Sequence, residues 1–188
     1  MAEFVLDRGA LLAGTVAVLA LERVVELVVS RRHLEQLRSE GIAHAASSGG
    51  GEYAIMVLVH VLFLACPLLE FQLRGQRGSD LPACIAVGAI VATQALRWWT
   101  IRTLGPRWNA RAVVAPSLGA VHDGPYRFLR HPNYLAVSIE FAALPFVGSS
   151  LWSGTLIFLA NVVVLARRKR QEERLLEQIP GWRAGFER

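Results

Sequence analysis

The residues best equipped for chemistry stand in three places. Residues 124–134 read GPYRFLRHPNY, residues 168–176 read RKRQEERLL, and Glu140 lies in an otherwise apolar run. In the first stretch, proline restricts the residue before it, so His131 is driven to an extended conformation while Pro132 can open a helix. A helix start carries free N–H groups and the positive end of the peptide dipole, which suits a carboxylate or another anion. The same residues would equally make a membrane-edge cap with an aromatic belt, and the motif alone leaves both readings open. In the second stretch Arg168 and Glu172, like Lys169 and Glu173, are spaced for one helical face, the pattern of a solvated, salt-bridged helix. A carboxylate such as Glu140 costs about 2.5–3.5 kcal/mol to place in a membrane span and turns toward the bundle interior or a wet cavity. Buried without a partner, it would become a stronger base.

The elements that must position these residues are apolar. Of 188 residues, 53% are apolar, above the usual globular range, and they fall in blocks: 10–30, 53–73, 81–101, 134–148 and 151–166. The first three are long enough to cross ~30 Å of hydrocarbon. The last two are shorter and separated by Gly148, Ser149 and Ser150, as in a tight helical hairpin. Five transmembrane helices are therefore expected, followed by a C-terminal helix from Arg167 to Gln178 that stops at Pro180-Gly181. The polar stretch from His33 to Glu52 reads as a flexible connection. The stretch from Arg102 to Asn133, with Trp108, Tyr126, Phe128, four prolines and the Val113-Val114 run, reads as a loop that folds against the membrane helices.

Glu3 and Asp7 precede the first block where a signal peptide would be basic, so it is expected to stay in the mature chain. Fifteen lysines and arginines fall in segments 31–52, 102–133 and 167–188, against Arg8, Arg74 and Arg77 on the opposite side. This places the amino terminus outside and the carboxyl terminus in the cytoplasm. It also accounts for the basic balance through lipid headgroups, without nucleic acid. Cys66 and Cys84 sit in predicted helices with no metal spacing, so neither disulfide nor metal is expected. Glu22, Arg23, Glu26, His60, Glu70 and Arg97 are further ionisable groups within spans. Glu22, Arg23 and Glu26 can pair among themselves, His60 can be a core histidine, and Glu70 can reach the interface.

GPYR, then RHPNY, a hairpin and RxxxEExxL in that order resemble the membrane methyltransferases of the isoprenylcysteine carboxyl methyltransferase family, over about Leu96 to Leu176. Within it, LRWWTIRTLGPRWNARAVV followed by HPNYLAVSIE is similar to a bacterial branch that methylates hydroxyls of long-chain alkylresorcinols and alkylpyrones made by type III polyketide synthases. The resemblance implies a single domain over 1–188, with three membrane helices in 1–101 and a catalytic half in 102–188. The fold class it implies is an all-α integral membrane protein with a cytosolic cofactor-binding loop, placed in a bacterial inner membrane. It assigns S-adenosyl-L-methionine to Leu118, Gly119, Ala120, Val121, Tyr126, His131, Pro132, Asn133, Tyr134 and Glu172, and the acceptor to Arg168. The His-x-Leu-Val pattern common in the cofactor segment is replaced here by Leu118-Gly119-Ala120-Val121, and the tail after Leu176 is short.

On this reading a cytosolic cofactor meets a lipophilic acceptor at the membrane edge. A phenol of pKa about 10 needs a base, and with Glu172 assigned to the cofactor that base is expected to be Glu140. Carboxyl methylation of a prenylated cysteine and N-methylation of a phospholipid are alternatives on related scaffolds. A small transport protein whose buried charges line an ion path is the alternative from another class.

Overall fold

The computed structural model describes residues 7–42, 44–45, 50–75, 79–111, 113–114 and 116–177. Five α-helices carry the chain: α1 (Arg8–Ser39), α2 (Gly50–Arg74), α3 (Asp80–Leu104), α4 (Pro132–Gly148) and α5 (Leu151–Leu176). The two-residue strands β1 (His44–Ala45) and β2 (Val113–Val114) pair antiparallel and tie the α1–α2 and α3–α4 connections together.

α1 begins at Asp7, whose side chain accepts the N–H of Ala10 at 3.0 Å, the usual N-cap bond. Its Leu12, Val16, Leu19, Glu22, Glu26 and Ser30 are buried at steps of three and four, which is one helical stripe. The other face, with Val18, Leu21, Val24 and Val28, is exposed apolar surface. At 32 residues α1 is ~48 Å long, two turns and more beyond the expected end at Ser30. Arg31, Arg32, Glu35 and Gln36 are good helix formers, so polarity ends the apolar block without ending the helix. The expected flexible connection is correspondingly shorter. Its residues 46–49, like the expected stop at Pro180-Gly181, lie outside the described residues.

α4 is the central element, packed against each of the other four helices. It is buried nearly all round, from Ala136 and Val137 through Phe141 and Leu144 to Val147. Two glycines allow the close approach: a Cβ on Gly148 would come within 2.5 Å of Leu12, and one on Gly154 of α5 would run into the ring of Pro145. The α4–α5 turn is fixed by Ser149 in the left-handed region (φ 55°) and by Ser150 Oγ, which donates to the Pro67 carbonyl at 2.7 Å.

Two charged side chains finish helix ends belonging to other elements. Arg8, fully buried, donates to the carbonyls of Val147 (3.2 Å) and Phe146 (2.7 Å) at the end of α4. Glu70 accepts the N–H groups of Trp152 (3.3 Å) and Ser153 (2.7 Å), capping the start of α5 from α2. Arg8 is therefore an internal cap as well as one of the few basic residues of its end.

Among the described residues, three helices are long and apolar enough to cross a membrane: Gly51–Arg74, Asp80–Arg107 and Leu151–Leu176. The five expected spans are thus not all matched by length and composition. α1 carries Glu22, Arg23 and Glu26 in mid-helix, and α4 has only 17 residues. The C-terminal helix is also not separate, because nothing breaks the chain at Arg167 and α5 runs through to Leu176.

Candidate active site

The GPYR residues form a 3₁₀ turn, Gly124–Arg127, leading into the start of α4. Its Gly124 has φ 56°, and a Cβ there would collide with Thr103 of α3, so the turn lies flat on that helix. His131 is the residue before α4, Pro132 its first, and no side chain caps the end, which leaves the first turn a donor for an anion.

The end of α5 comes to this turn. Tyr134 donates its hydroxyl to Glu172, and His131 Nε2 donates to Glu173 Oε1 at 2.9 Å. The His131 and Tyr134 rings are stacked, with centroids 5.3 Å apart. Burial and the nearby Glu172 charge hold the Tyr126 phenol well above its ordinary pKa, so it stays a hydrogen donor at any physiological pH. Leu118 accepts from Arg107 Nη2 at 2.5 Å through its carbonyl, and Gly119 turns the chain at φ 70°. Leu118, Gly119, Ala120 and Val121 are half-buried but are not in the wall of the cavity below.

A cavity of ≈ 210 Å³ lies deeper, among all five helices. Tyr134, Asn133 and Arg168 belong to its wall, so it meets the turn at the start of α4. Its apolar side includes Leu27, Val57 and Val61, which are also exposed on the outside of the bundle, so the cavity reaches the apolar surface between α1 and α2. Trp108, Asn109 and Ala110 close it on the loop side. Asn109 is held to α1 by Ser30, whose Oγ lies 3.0 Å from Asn109 Oδ1 and whose carbonyl accepts from Nδ2 at 3.1 Å. Arg168 Nη2 donates to the Ala110 carbonyl at 2.5 Å and a second guanidinium N–H to Met56 sulfur. Its Nε is buried with no hydrogen-bond partner among the described residues.

Glu140 is differently placed from its expected role. It is 1% exposed and does not line the cavity. One oxygen accepts from Arg97 Nη2 (2.6 Å) and Gln94 (2.9 Å), the other from Arg23 Nη2 (2.8 Å). The same arginines hold Glu26, at 2.7 Å from Arg23 Nη1 and 3.2 Å from Arg97 Nε, and Arg97 also approaches Asn133 at 3.4 Å. Both oxygens of Glu140 are thus held by donors from α1 and α3, the geometry of an anchor between helices.

Residues 85–178 match the isoprenylcysteine carboxyl methyltransferase (ICMT) family, half of the chain. The chain belongs to this family. Membership, with the three apolar helices, makes it an integral membrane protein of a methyltransferase family. The chain is 29% identical over 163 residues to the uncharacterized protein YpbQ of Bacillus subtilis (strain 168), covering 87% of this chain and 95% of that one. It is 21% identical over 166 residues to an uncharacterized protein of Haemophilus influenzae, covering 88% and 94%. No solved structure matches it significantly.

The ICMT-family region contains every residue the motifs singled out, and the fold brings Tyr126, His131, Pro132, Asn133, Tyr134 and Glu172 into one neighbourhood. Tyr53 and Met56 of α2 also belong to the cavity wall, outside that region, where Tyr53 lies under Arg111 at 4.7 Å. Nothing in the sequence marks those two, because their place depends on how α2 docks against α5.

Proposed function

We propose that the chain transfers a methyl group from S-adenosylmethionine to a lipophilic hydroxyl at the membrane–cytosol interface, within a single domain over 1–188. The narrowest form of this reading is O-methylation of a long-chain alkylresorcinol or alkylpyrone. The observation that carries it is the cavity, whose apolar side reaches the outer surface between α1 and α2 and whose polar end meets the start of α4. A lipid tail would enter from the bilayer side and its headgroup would stop near Tyr134 and Arg168.

The cofactor's charged groups have counterparts in the chain. Glu172 and Glu173 offer carboxylates to an ammonium or a ribose, and the uncapped start of α4 offers an N–H to a carboxylate. Tyr126, His131 and Tyr134 supply ring faces and hydrogen donors, Pro132 and Asn133 set the helix start, and Leu118 to Val121 line the loop side. When bound, the cofactor supplies an electrophilic methyl group on sulfur. The protein's share is alignment and exclusion of water, to which Arg168 adds an orienting charge for the acceptor oxygen.

In this reading α1 and α4 also cross the membrane, giving five spans with the amino terminus outside and the carboxyl terminus in the cytoplasm. The inward stripe of α1 hides its charges, and α4 is shielded by its four neighbours. A second reading, methylation of a prenylated cysteine carboxylate, is favoured by the unpartnered Arg168 Nε and by the family's own name. Transfer of labelled methyl from S-adenosylmethionine to an alkylresorcinol, an alkylpyrone, a farnesylcysteine and a phosphatidylethanolamine, with purified protein in nanodiscs, decides among them. Label on the hydroxyl acceptors supports the first reading and label on farnesylcysteine the second. Label on none of the four, with no binding of S-adenosylhomocysteine, defeats both and leaves the transport alternative.

A further inference from the structure

His60 lies in α2, in the wall of the cavity, and its tautomer is set by geometry. Nδ1 stands 2.9 Å from the Met56 carbonyl, which can only accept, so Nδ1 carries the hydrogen and Nε2 carries a lone pair. The ring is held edge-on to Phe141 (centroids 5.1 Å, planes at 76°), and Phe141 is itself stacked on Phe63 at 4.0 Å. None of the described residues bonds Nε2. Across the cavity it faces Arg23 and Glu26 from α1, Arg97 from α3, Tyr134 from α4 and Arg168 from α5. Both oxygens of Glu140 and Oε2 of Glu26 accept from Arg23 and Arg97, and Glu26 Oε1, without a hydrogen bond, is paired by charge with Arg97 Nε at 3.2 Å, so Nε2 of His60 is the acceptor in this chamber that is tied to no arginine.

Glu22, Glu26 and Glu140 are three carboxylates beside the guanidiniums of Arg23 and Arg97, with Arg168 a third guanidinium in the same wall, so the fixed charges around the chamber balance.

We infer that His60 is the general base that takes the proton of an un-ionised hydroxyl acceptor, an inference resting on the methyl-transfer reading above. The new O–C bond replaces the S–C bond, whose electron pair stays on sulfur. The O–H electron pair stays on the acceptor oxygen and its proton passes to Nε2, so the positive charge lost at sulfur reappears on the imidazole. The substrate class follows: a phenol or enol entering with its proton, since an acceptor that is already ionised needs no base.

A nitrophenol bearing a long alkyl chain, coloured only as its anion, tests this without turnover. At a pH where it is colourless in detergent alone, the wild-type protein should turn it yellow on binding, and His60→Gln should bind it colourless. Turnover on an alkylresorcinol should fall in the same variant by on the order of 100-fold or more, with KM little changed. A yellow His60→Gln complex, a colourless wild-type complex, or no binding to the wild type would each overturn the assignment. Should His60→Gln not fold, wild-type protein with ¹⁵N-labelled histidine decides: binding should move one imidazole to the imidazolium position, and unmoved signals overturn the proposal. Methyl transfer that proceeds unaltered in His60→Gln defeats this inference alone, whereas absent transfer from wild type to every acceptor defeats the proposed function.

Discussion

The Nε2 atom of His131 lies 2.9 Å from Oε1 of Glu173, while the neighbouring Glu172 takes the hydroxyl of Tyr134. Successive carboxylates of α5 thus hold one residue just before α4 and one in its first turn. Both pairs join parts of the chain about 40 residues apart.

His131→Ala and Glu172→Ala should each weaken binding of S-adenosylhomocysteine, by about 1–3 kcal/mol for a lost charged hydrogen bond. Calorimetric titration in detergent reads this directly. Binding unchanged in both variants would reduce the two pairs to a membrane-edge cap.

Glu140→Gln should lower thermal stability substantially, on the order of 3 kcal/mol, because Arg23 and Arg97 lose a shared buried counter-charge. Activity per folded molecule should fall equally on a resorcinol and a pyrone. A loss confined to the phenolic acceptor, with the melting point intact, would restore Glu140 as the base.

Gly154→Ala should cost about 1–3 kcal/mol of stability, since its methyl group would meet the Pro145 ring. Affinity for S-adenosylhomocysteine in the folded fraction should be unchanged. Unfolding curves of wild type and variant give the comparison, and equal midpoints would mean that α4 and α5 separate freely.

With Cys66 and Cys84 replaced, a cysteine at Ser79 should react with an impermeant maleimide added outside intact cells, and one at Ser117 should react only after lysis. Both positions are exposed in the folded chain. The opposite labelling pattern would invert the proposed orientation.

Helix positions were legible where an apolar run coincided with a helix, as in α2 and α3, and less so where polarity and helicity part company. His33 to Ser39 read as connection because they are polar, yet they continue α1; Arg167 to Leu176 read as a new helix for the same reason, yet they continue α5. The start of α4 was legible because its proline, histidine and tyrosine are local signals. What Glu140, Glu70 and Arg8 do was not, since each answers to a partner on another helix, 117, 83 and 139 residues away in their longest contacts with Arg23, Ser153 and Val147. A charge in an apolar run announces a partner without naming it, and two arginines were available for Glu140. His60 was legible only as a buried histidine; its cavity exists once α1 and α5 are in place.

The Glu70 carboxylate has a bearing on biogenesis. The first turn of α5 is completed by a side chain translated 82 residues before the backbone it caps. A ribosome releasing the α4–α5 hairpin delivers it to a bilayer in which α2 is already embedded, with its acid waiting at the right level for two open amides. The hairpin is then received by its predecessor as well as held together by the packing of α4 on α5. Supplied as a separate polypeptide, the segment from α4 onward should depend on co-insertion with the first half to escape quality-control proteolysis.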